Sequence, residues 1–354
     1  MRRILGLILI VALAAAGWLA WTVVAPTAPA GQTFVLLHPG YSTRHIASEL
    51  KSAGVIRSKT AFILWYYFHH HRRSLKAGEY LFDKPANIID IQKRLRRGDV
   101  YVHTVVVPEG FTMFDIARAI EAAGLGPGQD FLKVAQSDTA LIADIAPSAH
   151  SLEGYLFPET YEFTRMMTME DMAAAMVKQF RQVAHQIGLL PPQNAAQIIE
   201  ASESHGAIAD PASAAQSGDA QRTVILASIV EKETAVPEER PLVASVYNNR
   251  LTRKIALDAD PSIIYAELLA GTYTGALHHA DMQFKSPYNT YRYPGLPPGP
   301  IGNPGKSALE AAMHPAQTDY FYFVADAQGH HRFARTMEEH NRNVLVYRKA
   351  MRAH

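Results

Sequence analysis

The chain of 354 residues contains no cysteine, and its acidic and basic side chains almost cancel, leaving a formal net charge of +1. The absence of cysteine excludes thiol nucleophiles, disulfide bonds and cysteine-ligated zinc sites. The charge balance gives no sign of a polyanion partner, so no nucleic acid is expected. The sequence also lacks a His-Glu-x-x-His pattern, and the three adjacent histidines at 69–71 cannot face one ion from a helix end. We therefore predict no metal and no cofactor.

One long apolar run stands at the start of the chain. Residues 4–24 carry no charged side chain. As a helix they would measure about 31 Å, enough to cross the hydrocarbon core of a bilayer. Two arginines precede the run and two tryptophans fall near its end, which predicts a cytoplasmic N-terminus and an aromatic belt at the outer interface. A small-x-small sequence at 28–30 leaves a cleaved signal peptide as the alternative. Both interpretations place the remaining chain outside the cytoplasm.

The first half contains an internal repeat. Residues 40–54 align without gaps on residues 110–124, and each copy follows a β-rich run and a proline. Ser42 and Thr112 are placed as helix N-caps, and the glycine that ends each copy is placed as a helix stop. Between the copies the pattern predicts a helix over 58–72, a strand over 79–82 and a helix over 87–97. Strand, two helices and strand resemble a LysM-like peptidoglycan-binding module, with a plain α+β spacer as the alternative.

A run in the second half concentrates the candidate chemistry. Residues 228–237 read Ser-Ile-Val-Glu-Lys-Glu-Thr-Ala-Val-Pro and contain Glu231 and Glu233. On a helix, Glu233 shares an apolar stripe with Leu226 and Val230, whereas Glu231 lies about 200° away. A carboxyl on an apolar face loses hydration of its charged form, so its pKa rises and it can act as a general acid. A helix-end glutamate paired with a nearby base is the alternative.

Further motifs follow this run in a fixed order. They are Val-Ala-Ser-Val-Tyr-Asn-Asn-Arg-Leu at 243–251, Leu-Asp-Ala-Asp-Pro-Ser-Ile-Ile-Tyr at 257–265, Ser-Pro-Tyr-Asn-Thr-Tyr at 286–291, a Pro/Gly-rich segment at 295–305, and two closing segments at 320–326 and 331–341. Together they resemble the endolytic murein transglycosylase family, the MltG or YceG-like proteins, over nearly the whole chain. The resemblance implies that Glu233, in the Lys-Glu-Thr triplet, is the catalytic acid. The chain departs from the family at Asp258 and Ser262, where Gln and Thr are usual, and in an insert at 203–220.

The resemblance also implies an activity and its surroundings. The implied enzyme is a membrane-anchored lytic transglycosylase that cleaves MurNAc-β-1,4-GlcNAc bonds inside nascent strands, leaves 1,6-anhydroMurNAc ends and helps to terminate glycan elongation. Its implied partners are peptidoglycan strands, the inner membrane and a penicillin-binding glycan polymerase. A non-catalytic glycan-binding scaffold for a cell-wall synthase is the second hypothesis. The apolar setting predicted for Glu233 argues against it.

Candidate substrate contacts combine aromatic and polar side chains. Sugars have apolar faces and polar edges, so a groove that binds them needs both. The segment 153–161 is rich in both, and the family resemblance places it beside the active site. Core packing, a helix cap or a turn is the alternative role for each residue, and the stiff 295–305 loop is either a cleft wall or a connector. The candidates are Tyr155, Glu159, Asn249, Asp260, Tyr288 and Asn289.

The expected architecture belongs to the α+β class. It consists of an anchor at 1–30, a LysM-like α+β module with the internal repeat at 31–125, and a mixed α+β catalytic domain at 126–354. The insert at 203–220 is rich in Ala, Ser, Asp and Gly, which predicts a flexible loop. The expected location is the inner membrane, crossed once, with the N-terminus in the cytoplasm and the body in the periplasm.

Overall fold

The computed structural model of the protein describes residues 2–69, 74–191 and 211–352. Packing divides the chain into two units: unit 1 is Met1–Thr104 with Glu162–Met167, and unit 2 is Val105–Tyr161 with Thr168–His354. The mixed α+β class is confirmed. The division falls at Thr104, so the second copy of the repeat lies in unit 2, and the predicted domain bounds stay a prediction. The functions assigned to the two parts stay predictions.

Unit 1 holds a small antiparallel sheet covered by helices. Strands β1 and β2 pair with Thr33 opposite Phe82 and Leu37 opposite Gly78. β3 pairs with β4, and the chain passes between the two units within these strands. The elements are α1 Arg2–Val24, β1 Thr33–Leu37, α2 Thr43–Ser52, α3 Lys59–His69, β2 Gly78–Phe82, α4 Ile88–Arg97, β3 His103–Val106 and β4 Thr160–Phe163. The last part of the helix predicted over 58–72, with the histidines and arginines at 70–73, lies outside the described residues.

Both copies of the repeat form a strand followed by a capped helix, as predicted. The Ser42 hydroxyl accepts a hydrogen bond from the His45 N–H, and Thr112 forms a capping box with Asp115. The glycines that end the copies, Gly54 and Gly124, have φ values of +73° and +72°. Only glycine adopts this left-handed conformation without steric cost, so these residues end the helices.

Helix α1 satisfies the length and composition of a membrane span. Its segment Arg3–Val24 has a mean hydropathy of 2.4, and its most apolar window is not buried against the protein. Its last turns behave differently, because Val23 is buried and Leu19 packs against the core of unit 1. The end of α1 is therefore part of the fold of unit 1.

Unit 2 is mainly helical, with one short hairpin. Its helices are α5 Met113–Ala122, α6 Gly128–Ser137, α7 Met169–Gln186, α8 Pro211–Glu233, α9 Arg240–Thr252, α10 Asp260–Ala270, α11 Lys306–Met313 and α12 Met337–Arg352; single 3-10 turns occupy Thr139–Ile142, Pro237–Glu239 and His279–Gln283, and the hairpin strands are β5 Tyr322–Ala325 and β6 His331–Ala334. Helix α8 packs against α9, α10 and α11. Residues 211–220, predicted within a loop, form the beginning of α8, and residues 203–210 of the same insert lie outside the described residues.

Candidate active site

Helix α8 delivers two glutamates to the centre of unit 2. Every residue from Val224 to Val230 is buried, so this part of the helix is surrounded by protein on all sides. The helix ends at Glu233, and Thr234 then turns the chain by accepting the Val236 N–H at 3.0 Å. Because the helix is enclosed, Glu231 and Glu233 both leave bulk water. The sequence expectation that one apolar stripe distinguishes Glu233 is therefore wrong.

Glu233 has the properties of a general acid. The buried Tyr247, on α9, donates its hydroxyl hydrogen to Glu233 Oε1 at 2.7 Å. Glu233 is half-buried as a residue, whereas the helix residues from Val224 to Val230 are buried. Burial is the main factor that raises the pKa of Glu233 to about 7, the negative charge of Asp260 adds to the rise, and the Tyr247 hydrogen bond opposes it. The carboxyl is thus poised to give and retake a proton near neutral pH.

Asp260 and Tyr291 lie beside this acid. The Tyr291 hydroxyl donates to Asp260 Oδ1 at 2.6 Å, and Asp260 is exposed at the first position of α10. The charge of Glu233 contributes to the raised pKa of Tyr291, as the charge of Asp260 contributes to that of Glu233. These mutual effects place the three side chains in one cluster. The predicted candidate Asp260 is therefore brought to the acid.

Glu231 is committed to the structure. Its Oε1 accepts from the Arg240 guanidinium at 2.7 Å and its Oε2 from the Gly305 N–H at 2.9 Å. Arg240 also contacts Glu109 at 3.2 Å. Burial raises the pKa of Glu231, while the Gly305 N–H and Arg240 act in the opposite direction. Both oxygens of Glu231 are thus occupied by donors of the protein, which separates its role from that of Glu233.

A third glutamate, Glu153, connects segments that are far apart in the chain. Glu153 is buried and accepts the Met113 N–H at the start of α5, at 3.0 Å to Oε2. Its Oε1 accepts the Asn303 amide at 2.7 Å, and the Tyr265 hydroxyl also donates to it. Burial raises the pKa of Glu153 to about 7. The carboxyl joins α5, α10 and the 295–305 loop.

The 295–305 loop packs against helix α8 and supports it. The Ile301 N–H donates to Ser228 Oγ on α8 at 3.0 Å. Asn303 Oδ1 accepts the N–H groups of Gly154 and Leu156, each at 2.9 Å. Gly154 has φ +90°, and a Cβ at this position would lie 2.4 Å from Pro300 Cγ, so glycine is required for the loop to approach. The Pro/Gly-rich segment therefore packs tightly against α8 and the 153–156 segment.

The two asparagines predicted to contact the substrate, Asn249 and Asn289, instead donate hydrogen bonds to backbone carbonyls. Asn249 donates its two amide hydrogens to the carbonyls of Thr318 and Tyr320, each at 2.9 Å. Asn289 is fully buried and donates to the carbonyls of Met282 and Phe284. The first asparagine fixes the approach to β5 and the second fixes the loop that carries Tyr288 and Tyr291. Their amide N–H groups are not available to a sugar.

The remaining predicted contacts differ in accessibility. Tyr288 is partly buried, with its ring centroid 5.2 Å from that of Tyr265. Tyr155 is fully buried against Phe180, with ring centroids 5.0 Å apart, so its ring has no surface for a sugar. Glu159 is exposed, and its Oε1 accepts the N–H of the following residue. Tyr288 thus lies near Glu153 and stays partly accessible, while Tyr155 is a core residue.

The chain matches a known protein family over most of its length. The sequence profile of the YceG-like family matches residues 35–345. The chain belongs to the YceG-like family. This confirms the resemblance predicted from the motifs.

The YceG-like chain has named relatives and a solved structural neighbour. It is 32% identical over 323 residues to the endolytic murein transglycosylase of Bacillus subtilis (strain 168), covering 87% of the chain and 82% of that relative. It is 28% identical over 340 residues to the endolytic murein transglycosylase of Streptococcus pneumoniae serotype 2 and spans 57% of that relative's length. The crystal structure of a YceG-like protein from Listeria monocytogenes matches with a TM-score of 0.54 and 30% identity, over 88% of this chain and 98% of that one.

Sequence reasoning on this YceG-like chain missed four residues of the site. Tyr247, Tyr291 and Glu153 lie inside motifs that the sequence analysis singled out, and Arg240 begins the helix that carries the first of them. Nothing in their spacing indicates their partners, because each contact joins segments 9 to 150 positions apart in the chain. The one usable signal in the sequence was Tyr247, a tyrosine on the helix that follows the candidate acid Glu233.

Proposed function

We propose that the protein is a lytic transglycosylase that cleaves peptidoglycan inside its glycan strands. The observation that carries the proposal is Glu233, a half-buried residue whose carboxyl has a pKa of about 7 and accepts a hydrogen bond from Tyr247, with the charge of the exposed Asp260 nearby. The relatives named endolytic murein transglycosylases support the same activity.

The chemistry requires one acid that becomes a base. Glu233 donates its proton to the glycosidic oxygen between MurNAc and GlcNAc as the bond from C1 to that oxygen breaks. The 2-acetamido carbonyl of the sugar stabilises the positive charge that develops at C1. The Glu233 carboxylate then accepts the proton of the MurNAc O6 hydroxyl while O6 bonds to C1. The product is a 1,6-anhydro ring, no water is consumed, and Glu233 ends protonated.

The neighbouring side chains have supporting roles in this scheme. Tyr247 orients the carboxyl and tunes its pKa. Asp260 and Tyr291 accept or donate hydrogen bonds to sugar hydroxyls, and Tyr288 offers part of a ring to a sugar face. Asn249 and Asn289 act by holding the segments that carry these groups. O6 capture outcompetes water because the hydroxyl is held on the same sugar.

The test compares Glu233→Gln with Glu238→Gln on purified sacculi. Glu238 is an exposed glutamate on the next turn and provides the matched control. We expect the Glu233 variant to lose at least about a hundredfold of the activity, because an amide cannot transfer the proton, and the control to retain it. Mass spectrometry of the digest should give products one water lighter than hydrolytic ones. Reducing MurNAc ends throughout would mean hydrolysis, and an active Glu233 variant would mean that another residue is the acid. Absence of cleavage by the wild type would favour the non-catalytic scaffold.

Placement in the cell is the second part of the proposal. Helix α1 anchors the chain in the inner membrane with the body in the periplasm, next to nascent glycan and to a glycan polymerase. Its length and hydropathy support a membrane span, and the two arginines at its start support this orientation. A phosphatase fused after the last residue should be active in cells. An inactive phosphatase together with an active cytoplasmic reporter at the same position would reverse the topology.

Unit 1 is the proposed glycan-orienting module. The antiparallel pairing of its two strands across two helices supports a LysM-like role, and a spacer is the alternative. The Glu233→Gln protein, which binds without cleaving, should be retained on sacculi. Weaker retention after substitution of exposed unit 1 residues would support a binding role; unchanged retention across such a series would favour the spacer.

A further inference from the structure

Helix α3 turns an apolar face away from unit 1. Phe68 is 75% exposed and Tyr67 54% exposed, and Leu64 is exposed one turn earlier. Leu64 and Phe68 are four residues apart and so share a face. The opposite side of the helix enters the core through Phe62 and Tyr66. A contiguous exposed apolar face of this kind marks an interaction surface rather than ordinary surface scatter.

The end of α1 sets the height of this face relative to a bilayer. Leu19 and Val23 pack into unit 1, so lipid can surround α1 completely only along residues 4–18. This segment measures about 23 Å at 1.5 Å per residue. The hydrocarbon core of a bilayer is about 30 Å thick. The surface of unit 1 beside α1 must therefore begin within the bilayer or at its interface.

The start of α3 contacts the end of α1, the part of α1 that we place at the membrane interface. Helix α3 packs against α1, and the Arg57 guanidinium lies over the ring of Trp21, 4.9 Å from its centroid. Arg57 also donates to the Pro26 carbonyl at 2.7 Å, and Lys59 begins the helix. Tryptophan and long basic side chains are favoured where lipid headgroups meet the acyl chains. The contacts thus fix α3 next to the interfacial part of α1.

We propose that α3 is an interfacial helix whose Leu64, Tyr67 and Phe68 insert into the headgroup and acyl boundary of the outer leaflet. The occupant of the apolar face is the lipid surface. This inference rests on the proposed anchoring by α1. Its consequence is that unit 1 is held against the membrane at two places instead of swinging on a single helix.

The absence of cysteine makes the test direct, because single cysteines can be labelled in the full chain. Leu64→Cys and Phe68→Cys carry an environment-sensitive fluorophore, in vesicles of phosphatidylethanolamine and phosphatidylglycerol. Val11→Cys, in the middle of α1, reports the anchor, and Ser52→Cys, exposed on α2, reports water. We expect the labels at 64 and 68 to be quenched by shallow lipid-borne quenchers, at 11 by deep ones, and at 52 by aqueous iodide.

The outcomes separate the two proposals. If the labels at 64 and 68 behave like the one at 52 while the label at 11 is in lipid, the interfacial helix is wrong and the anchor stands. If the label at 11 is also in water, the anchor is wrong and this inference falls with it. As a second measurement, Phe68→Asp in the Leu64→Cys protein should increase iodide quenching at 64 severalfold. No change on that substitution would also overturn the inference.

Discussion

Tyr247, on α9, donates its hydroxyl hydrogen to Oε1 of Glu233, the last residue of α8, at 2.7 Å. The tyrosine is buried and the glutamate half-buried, so the bond holds the carboxyl in one orientation. Because a hydrogen bond to the charged form favours ionisation, this contact limits how far burial raises the pKa of Glu233.

Tyr247→Phe should move the pH profile of cleavage to higher pH. The acid must be protonated in the free enzyme, so kcat/KM of the wild type should fall as pH rises through about 7. Tyr247→Phe removes a hydrogen bond that lowers the pKa of Glu233. The falling limb should therefore shift to higher pH by roughly 0.5–1 pH unit. Tyr41→Phe, in unit 1, is the control and should leave the limb unchanged. A limb that stays in place would mean that the contact does not tune the acid.

Asp260→Asn should shift the same limb in the opposite direction. The charge of Asp260 raises the pKa of Glu233, and the asparagine removes the charge while keeping an oxygen for the Tyr291 hydroxyl. The falling limb should therefore move to lower pH. The same kcat/KM profile checks it. An upward shift, parallel to that of Tyr247→Phe, would contradict the electrostatic relationship between the two carboxyls.

Glu233→Gln should stabilise the fold at alkaline pH. A glutamate carboxyl in the unfolded chain has a pKa of 4.5, and folding raises the pKa of Glu233 to about 7, so the folded state binds more protons between these values. The free energy of unfolding therefore falls as pH rises from 4.5 to about 7 and stays lowered above it. The variant should gain at most about 3 kcal/mol at about pH 8 and nothing below about pH 4. Denaturant titrations at both pH values measure it, and an equal gain at both would assign the effect to packing.

Glu231→Gln should destabilise the fold at neutral pH. The substitution removes the charge that faces the buried Arg240 at 2.7 Å and leaves that guanidinium without its partner, at a cost of about 2–4 kcal/mol. We expect this cost to exceed the gain from relieving the burial that raises the pKa of Glu231. Glu109→Gln is the matched comparison, because Glu109 contacts the same arginine from a half-exposed position and should cost less than about 1 kcal/mol. Chemical denaturation measures both variants. A larger loss for the Glu109 variant would contradict the assigned roles.

The repeat shows where sequence reasoning is strong. N-cap hydroxyls, stop glycines and periodic apolar residues act within a few positions of the chain, so Ser42, Thr112 and Gly54 could be assigned from local chemistry alone. The same reasoning placed a loop over 211–220, where the structure has the first turns of α8. Composition rich in alanine and polar residues suits either state, and the choice depends on how the helix continues.

Hydropathy, local capping and motif order were enough to establish the apolar N-terminal helix, the capped helices of the repeat, the YceG-like family and Glu233 as the candidate acid. Only the folded structure explains why Glu231 and Glu233 differ. Both leave water on the enclosed helix α8, but one meets Arg240 and the Gly305 N–H and the other meets Tyr247. Such partners come from distant segments, and a side chain's pKa depends on what folding brings within hydrogen-bond distance rather than on its position in the chain.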